Sequence, residues 1–280
     1  MFYLKNLVTR TLILKYSCMH FSSAALPKED KIKIGKYVIS YVKVGNGPHN
    51  IFCAPGALST KWTDYKLQLQ GFMHDKFTIV AWDPPGSGNS YPPEREFVEG
   101  FLEKDADIAY ELMKVLEIPK YSVLGFSDGG NTSLILAGKY PNVVDKLVVW
   151  GANSFILPTE LEAYHSIKDI NKWSKRLREP LIEIYGEERL ANYWNRWLKA
   201  MDHIYTKRNG NICLEYLENI KCPTYILYGE KDPLVDRVHA SHLHTNIDGS
   251  RIHLYPEGKH HIHLTYAEDF NRRVQEFLLN

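Results

Sequence analysis

The stretch of sequence that decides the fold of this chain is Val123-Leu124-Gly125-Phe126-Ser127-Asp128-Gly129-Gly130. An apolar run leads into the motif Gly-x-Ser-x-Gly, and a helical run over residues 131–140 follows it. A serine on a sharp turn between a strand and a helix needs glycines beside it, because only glycine tolerates such a close backbone approach. The motif in this context predicts that Ser127 is a nucleophile lifted out of a sheet.

Apolar runs and helical patterns alternate on both sides of this motif. Phe77–Trp82 is a continuous apolar run, which is typical of a strand buried on both faces. Residues 102–117 carry apolar side chains at helical spacing. Further strands are predicted at residues 51–54, 121–124, 146–150, 224–228 and 251–255. This alternation predicts an α/β fold around a mostly parallel central sheet flanked by helices.

A strand is also predicted at Tyr37–Val44, which is rich in β-branched and aromatic residues and ends at Gly45-Asn46-Gly47-Pro48. Glycine and proline in such a cluster are typical of a tight turn. We therefore expect a hairpin here, with residues 51–54 as the next strand.

The alternation stops between residues 153 and 219, where helix formers and aromatic residues dominate. We interpret residues 153–219 as a helical lid inserted after the sixth strand, so that residues 28–152 and 220–280 form the core. The large aromatic residues of this segment are interpreted as packing residues rather than parts of a site. They include Trp173, Tyr185, Tyr193, Trp194 and Trp197.

A serine hydroxyl is a weak nucleophile and needs a base that is itself oriented by a carboxylate. Where a serine stands on such a turn, the acid and then the histidine are expected just beyond late strands. Asp232 and Glu230 both follow the predicted strand at residues 224–228. We favour Asp232 as the acid because it lies deeper in the loop and Pro233 fixes the backbone after it.

Three histidines follow the last predicted strand and compete for the role of base: His260, His261 and His263. The residues alone leave the choice between His260 and His261 open. An oxyanion hole needs two backbone N–H groups aimed at the developing charge. We expect one from Asp128, which follows the nucleophile, and the other from Ala57, with Leu58 as the alternative.

These residues resemble the α/β-hydrolase fold family and, within it, the biphenyl hydrolase-like proteins of the valacyclovir hydrolase type, which cleave α-amino-acid esters. The resemblance runs from about residue 36 to the end. It implies a serine esterase that forms an acyl-enzyme without a metal or organic cofactor, with Ser127 as nucleophile, Asp232 as acid and His260 as base. It rests on residues 80–84, 125–130, 149–153, 210–213, 229–235 and 256–260.

Two positions depart from the wider fold family. Pro55 stands before Gly56 where many relatives have histidine, and Pro85 replaces the arginine that is common in Asp-x-Arg-Gly-x-Gly-x-Ser. Neither change removes a group that takes part in the chemistry. Both bear on the conformation of the loops beside the predicted oxyanion hole.

Asp128 narrows the range of substrates that we expect. A carboxylate beside the nucleophile would attract an ammonium group, and the resemblance assigns this position to recognition of the substrate α-amino group. The alternative is an acid that merely stabilises the first turn of a helix. Ile167 in the lid and Leu234 beyond the acid loop are candidate residues of the acyl pocket, with ordinary core packing as the alternative.

The charge balance excludes some classes of partner. With 34 basic and 33 acidic residues the formal net charge is +1, so no global field attracts nucleic acid or an anionic membrane. His239, His242 and His244 are interpreted as an exposed helix face rather than a metal site, because no carboxylate or cysteine joins them at ligand spacing. We expect a monomer that binds a small-molecule ester.

The N-terminal segment has a different composition from the rest of the chain. Residues 1–27 contain Lys5, Arg10 and Lys15 among apolar and hydroxyl residues, and the first acidic residue is Glu29. An acid-free, basic, amphipathic leader is typical of a mitochondrial presequence. We therefore expect residues 1–27 to direct the protein to the mitochondrial matrix; without a functional leader it would be cytosolic.

Two rival functions remain at this point. A carbon–carbon bond hydrolase for aromatic ring-cleavage products would share the fold and triad but bind an anionic substrate, which Asp128 disfavours. A catalytically silent binding protein of the same fold would usually lack a triad residue, and none of the three is missing here.

Overall fold

The computed structural model describes residues 27–280. The predicted presequence lies outside this range except for its last residue. The strands are β1 Asp30–Ile34, β2 Tyr37–Val44, β3 His49–Ala54, β4 Phe77–Trp82, β5 Tyr121–Phe126, β6 Val144–Trp150, β7 Thr224–Gly229 and β8 Arg251–Tyr255. The helices are α1 Lys61–Gly71, α2 Phe101–Val115, α3 Asp128–Lys139, α4 Pro158–Ser166, α5 Lys175–Tyr185, α6 Glu187–Lys207, α7 Val238–Asn246, α8 Ile262–Thr265 and α9 Ala267–Leu279.

The eight strands form one sheet in the order β1-β2-β4-β3-β5-β6-β7-β8. Among the described strands, the pairs β1–β2 and β2–β4 are antiparallel and the other five pairs are parallel. β4 and β5 are buried at every position, as their apolar sequences require when helices cover both faces of a parallel sheet. The predicted α/β fold with a mostly parallel sheet is confirmed.

The hairpin predicted at the Gly45–Pro48 turn is wrong. β2 and β3 do not pair with each other, because β4 lies between them. The turn instead packs on the start of β4, where Gly47 donates a hydrogen bond to the Phe77 carbonyl and a Cβ at Gly47 would lie 1.9 Å from the Lys76 backbone. The hairpin of this region joins β1 to β2 through Gly35, which has a φ of 57°.

The parallel strands β3 to β8 all direct the loops that follow them to one edge of the sheet. The carboxyl ends of β3, β5, β7 and β8 all lie at this edge. The loops that follow them carry Ala57, Ser127, Asp232 and His260 respectively. In open α/β sheets, ligands bind outside the carboxyl ends of the strands.

The segment between β6 and β7 forms the helices α4, α5 and α6. An isolated bridge between Phe155 and Asn211 joins the two ends of this segment. α6 is amphipathic and buries Tyr193, Trp194 and Trp197 on one face. No described helix has both the length and the apolar composition that a bilayer span needs.

Candidate active site

Ser127 lies on a strained turn between β5 and α3. Its φ of 53° and ψ of −123° fall outside the regions that side-chain-bearing residues normally adopt. The Ser127 N–H donates to the Trp150 carbonyl at 3.0 Å, which ties the turn to β6. A Cβ at Gly129 would lie 2.0 Å from the Ala54 carbonyl oxygen, so glycine is needed for α3 to pack this closely against the end of β3.

Three of the predicted site residues form a hydrogen-bonded chain. The Nε2 of His260 lies 3.1 Å from the Ser127 Oγ, and its Nδ1 lies 2.7 Å from Oδ2 of Asp232. The other oxygen of Asp232 accepts hydrogen bonds from the backbone N–H groups of Leu234 and Val235. The carboxylate is therefore fixed on both sides, and it orients the imidazole toward the serine.

The electrostatics around His260 favour its charged form. Burial lowers the pKa of His260, but the charge and hydrogen bond of Asp232 outweigh burial and hold the pKa above its usual value. An imidazole that takes up a proton here is stabilised as an imidazolium, as a general base next to a serine requires.

The competing acid and histidines lie in different surroundings. Glu230 is exposed, whereas the Asp232 side chain is 2% exposed. Burial lowers the pKa of His261 to about 4, so His261 is neutral at pH 7. His263 is buried, and its Nδ1 accepts a hydrogen bond from the Trp150 indole at 2.8 Å. The geometry therefore separates His260 from its two neighbours, which the residues alone did not.

The loop after β3 brings backbone N–H groups close to the turn that carries Ser127. Within residues 27–280, the N–H groups of Ala57 and Asp128 take part in no hydrogen bond. Ala57 and Asp128 line one cavity, and Leu58 is buried behind it with a φ of 63°. Asp64 holds this loop in place, because its Oδ2 accepts a hydrogen bond from the Gly56 N–H at 2.9 Å.

Asp128 and Gly129, the two residues that follow Ser127, line this cavity, which has a volume of about 10 Å³. That is the space of roughly one water molecule. The side chains around it are both polar and aromatic and include Trp82, Ser87, Arg95, Phe97, Asp105, Asp128, Tyr193 and Trp197.

A residue of the helical insertion holds the carboxylate of Asp128. The indole N–H of Trp197 donates to Oδ2 of Asp128 at 2.6 Å, and within residues 27–280 no hydrogen bond reaches the other carboxylate oxygen. Burial raises the pKa of Asp128 to about 6, although the Trp197 hydrogen bond and the Arg95 charge act in the opposite direction. Near pH 7 this residue is a buried anion with one oxygen available to a ligand.

Two predicted pocket residues are not at this cavity. Ile167 lies at the C-terminal end of α4, where its carbonyl accepts hydrogen bonds from the indoles of Trp173 and Trp194. Leu234 lies in the acid loop, and its N–H donates to Asp232. Both side chains pack against the core. Their role in the acyl pocket stays a prediction that the geometry of the cavity does not favour.

Sequence reasoning missed several side chains that line the cavity, among them Arg95, Asp105, Tyr193 and Trp197. Tyr193 and Trp197 were expected only to pack, and they do so while also reaching the site from α6. Arg95 lies in the irregular loop after β4, which carries no periodic pattern. Its pairing with Asp105 could be suspected only from the opposite charges ten residues apart.

The exposed histidine face expected around residue 239 is wrong for His239. This residue is fully buried, with its ring 4.5 Å from the Phe155 ring and its Nε2 2.9 Å from Glu160. The insertion packs over this end of α7 and covers it. In the part of the chain that the structure describes, no group of three or more histidine, cysteine or acidic side chains is arranged to hold a metal ion.

A mostly parallel sheet with a serine on a strand-to-helix turn and a histidine and an acid beyond later strands defines the class of α/β hydrolases. The sequence model of the alpha/beta hydrolase fold matches residues 50–179. Over 248 residues the chain is 45% identical to the serine hydrolase BPHL of Mus musculus and 43% identical to that of Homo sapiens. Each alignment covers 89% of this chain and 85% of the relative.

The chain therefore belongs to the α/β-hydrolase family, and it is a serine hydrolase. Its fold is also similar to that of a meta-cleavage product hydrolase from Pseudomonas fluorescens, with a TM-score of 0.74 and 19% identity. That match covers 89% of this chain and 96% of the other.

Proposed function

We propose that this serine hydrolase cleaves carboxylic esters of α-amino acids. The observation that carries the proposal is the buried carboxylate of Asp128 beside the nucleophile, with one oxygen turned to no protein donor in the described chain. An ammonium group is about the size of a water molecule, so the cavity suits it in size as well as in charge. Because a buried anion gains most from a paired cation, an α-ammonium group is the ligand that this carboxylate favours.

In the proposed reaction, the Oγ of Ser127 attacks the ester carbonyl carbon while Nε2 of His260 takes the hydroxyl proton. Asp232 holds the imidazolium in place through Nδ1. The carbonyl oxygen becomes an oxyanion and receives hydrogen bonds from the N–H groups of Ala57 and Asp128. The imidazolium then protonates the leaving alcohol as the C–O bond breaks, and an acyl-enzyme remains.

The second half of the reaction uses the same groups. His260 takes a proton from a water molecule, which attacks the acyl carbonyl carbon. The tetrahedral intermediate collapses, the proton returns to Ser127, and the free amino acid leaves. Asp128 therefore has two functions in the proposal. Its N–H stabilises the oxyanion, and its carboxylate positions the acyl group through the ammonium.

Carbon–carbon bond hydrolysis of an anionic ring-cleavage product is the rival activity. Such a substrate would bring a carboxylate toward the cavity that Asp128 lines, and Asp128 would repel it. The cavity does contain a cation, Arg95, but this guanidinium is already paired with Asp105. The charge of the cavity thus favours the amino ester over the rival.

We also propose that the protein acts as a monomer, since one chain supplies the whole triad and the cavity beside it. Delivery to mitochondria is proposed on the composition of residues 1–27 alone. Residues 1–27 fused to a fluorescent protein should direct it to mitochondria and be trimmed there. A diffuse cytosolic signal from an untrimmed fusion would contradict the proposed location.

The substrate proposal is tested with a pair of benzyl esters that share one carbon chain. L-Valine benzyl ester carries the ammonium group, and benzyl 3-methylbutanoate lacks it. The wild-type protein should have the higher kcat/KM for the valyl ester after each value is divided by the uncatalysed hydrolysis rate. Ser127→Ala should abolish hydrolysis of both esters and labelling by a fluorophosphonate probe. If the normalised kcat/KM values of the two esters are equal, the protein hydrolyses esters without selecting the ammonium group, and the substrate proposal is wrong.

A further inference from the structure

A buried ion pair shares the cavity with Asp128. Arg95 and Asp105 are 6% and 5% exposed, and both line the cavity. One guanidinium nitrogen of Arg95 donates to Oδ1 of Asp105 at 3.2 Å, and the other donates to Oδ2. The first nitrogen also donates to the Pro85 carbonyl at 3.0 Å. Asp105 thus holds the guanidinium in a two-point contact, which is the geometry of a strong charge-assisted pair.

The three charged side chains differ in how many of their polar atoms already make a hydrogen bond. Asp105 is engaged at both oxygens, Arg95 is engaged at both terminal nitrogens, and Asp128 is engaged at one oxygen. The pair sums to zero, so the net charge facing the cavity is that of Asp128. Arg95 lies close enough to lower the pKa of Asp128 and Asp105 close enough to raise it, after burial has raised it most.

Removal of Asp105 would change this balance. Arg95 would become a buried cation without its partner, and such a group is costly until it finds another anion. The carboxylate of Asp128, whose charge also raises the pKa of Arg95, and any carboxylate on a substrate are the candidates. Either pairing would remove the attraction for an ammonium group.

We propose that Asp105 is a specificity-determining positioning residue. By holding Arg95, it prevents the guanidinium from neutralising Asp128 and from binding a substrate carboxylate, so that the cavity selects an ammonium group. This inference rests on the proposed function and deepens it. Asp105 acts through Arg95 and does not touch the reacting atoms.

The test uses three benzyl esters with one carbon skeleton and different charge at the α position: L-valine, 3-methylbutanoic acid and the monoester of isopropylmalonic acid. They present an ammonium group, hydrogen and a carboxylate respectively. Each kcat/KM is divided by the rate of uncatalysed hydrolysis. Only ratios within one protein preparation are compared, so a loss of active protein or of general catalysis cancels.

The wild-type protein should prefer the ammonium ester to the neutral ester, and the neutral ester to the carboxylate ester. Asp105→Asn keeps the size of the side chain but removes its charge. It should lower the ammonium-to-neutral ratio by about tenfold and raise the carboxylate-to-neutral ratio by a similar factor. The double variant Arg95→Met with Asp105→Leu removes both charges and should bring the ammonium-to-neutral ratio back toward the wild-type value.

Several results would overturn the inference. If Asp105→Asn slows all three esters equally, the pair is only structural. If the double variant loses the ammonium preference as fully as the single one, Asp105 acts as a direct ligand rather than through Arg95. If the wild-type protein hydrolyses the carboxylate ester as well as the neutral ester, Arg95 is available to substrate. This last comparison needs no variant, so the inference can be overturned even if Asp105→Asn does not fold.

The proposed function fails in a different way. It fails if the wild-type protein does not distinguish the ammonium ester from the neutral one. If the wild-type protein does distinguish them, and Asp128→Asn loses the preference while Asp105→Asn keeps it, the proposed function stands and the role of Asp105 is wrong.

Discussion

The indole N–H of Trp197 donates a hydrogen bond to the carboxylate of Asp128 across 2.6 Å, and this contact joins the helical insertion to the residue next to Ser127. Trp197 also stacks on Trp194, with ring centroids 4.6 Å apart. A side chain that sequence reasoning assigns to packing therefore orients the carboxylate on which the proposed specificity depends. The insertion and the turn between β5 and α3 build the cavity together with the loops that follow β3 and β4.

Trp197→Phe tests this contact. Phenylalanine keeps an aromatic ring in the insertion but removes the N–H donor, so the ionised form of Asp128 loses one charge-assisted hydrogen bond. We expect the pKa of Asp128 to rise by about one unit. The measurement is the midpoint of the pH dependence of the valyl-to-3-methylbutanoyl preference. Trp194→Phe is the control, since its N–H bonds to the Ile167 carbonyl instead. A midpoint equal in both variants would contradict the role of Trp197.

The proposed preference for the amino ester should itself depend on pH. Burial raises the pKa of Asp128 to about 6, so the carboxylate becomes charged as pH rises through that value. The ratio of kcat/KM for the two esters should rise roughly tenfold between pH 5 and pH 7, and fall again once the substrate amine loses its proton. His260 acts on both esters, so its titration cancels in the ratio. A ratio that does not change between pH 5 and pH 7 would mean that Asp128 is not the group that binds the ammonium group.

The same burial predicts a stability effect. A carboxyl group whose pKa is raised by folding destabilises the protein at every pH where the charged form must be buried. The full cost applies above about pH 6, and it disappears below the unfolded-state value of 3.8. Asp128→Asn should therefore raise the free energy of unfolding by up to about 3 kcal/mol at pH 8. Thermal melts of both proteins at pH 8 and pH 4 check this, and an equal difference at the two pH values would argue against it.

The triad assignment separates two adjacent histidines. His260 contacts both Ser127 and Asp232, whereas the pKa of His261 is lowered to about 4 by burial. His260→Ala should lower kcat by about 10³-fold or more, because the members of a triad act as one unit. His261→Ala should keep most of the activity. Similar losses in the two variants would contradict the assignment of the base.

Much of the candidate site could be predicted because features of the local sequence indicate it. Ser127 is bracketed by glycines at a strand end, and Asp232 follows an apolar strand within a few residues. His260 needed the resemblance or the structure, since His261 has the same local surroundings. The physical distinction lies in direction: only one of the two rings reaches both Ser127 and Asp232.

The remaining errors come from contacts between distant parts of the chain. The Gly45–Pro48 turn looks like a hairpin turn, but β2 pairs with β1 and with β4, and β4 begins more than thirty residues after β2 ends. Trp197 reaches Asp128 across 69 positions. A helical pattern predicts which face of α6 is buried but not which group that face meets. Long-range pairing of this kind leaves no periodic signal in one sequence.

The proposed substrate class depends on recognition of an ammonium group by the carboxylate of Asp128, and the variant Asp128→Asn isolates that interaction. Asparagine keeps the size, the backbone N–H and an oxygen for the Trp197 hydrogen bond, and removes only the charge. A charge-assisted contact is worth roughly 1.5 to 3 kcal/mol, or about 10- to 150-fold in kcat/KM. At a pH where the substrate amine is protonated, we predict a fall of that size for L-valine benzyl ester and almost no change for benzyl 3-methylbutanoate. An equal fall for both esters would mean that Asp128 serves only the turn or the oxyanion hole, and would contradict the amino-ester assignment.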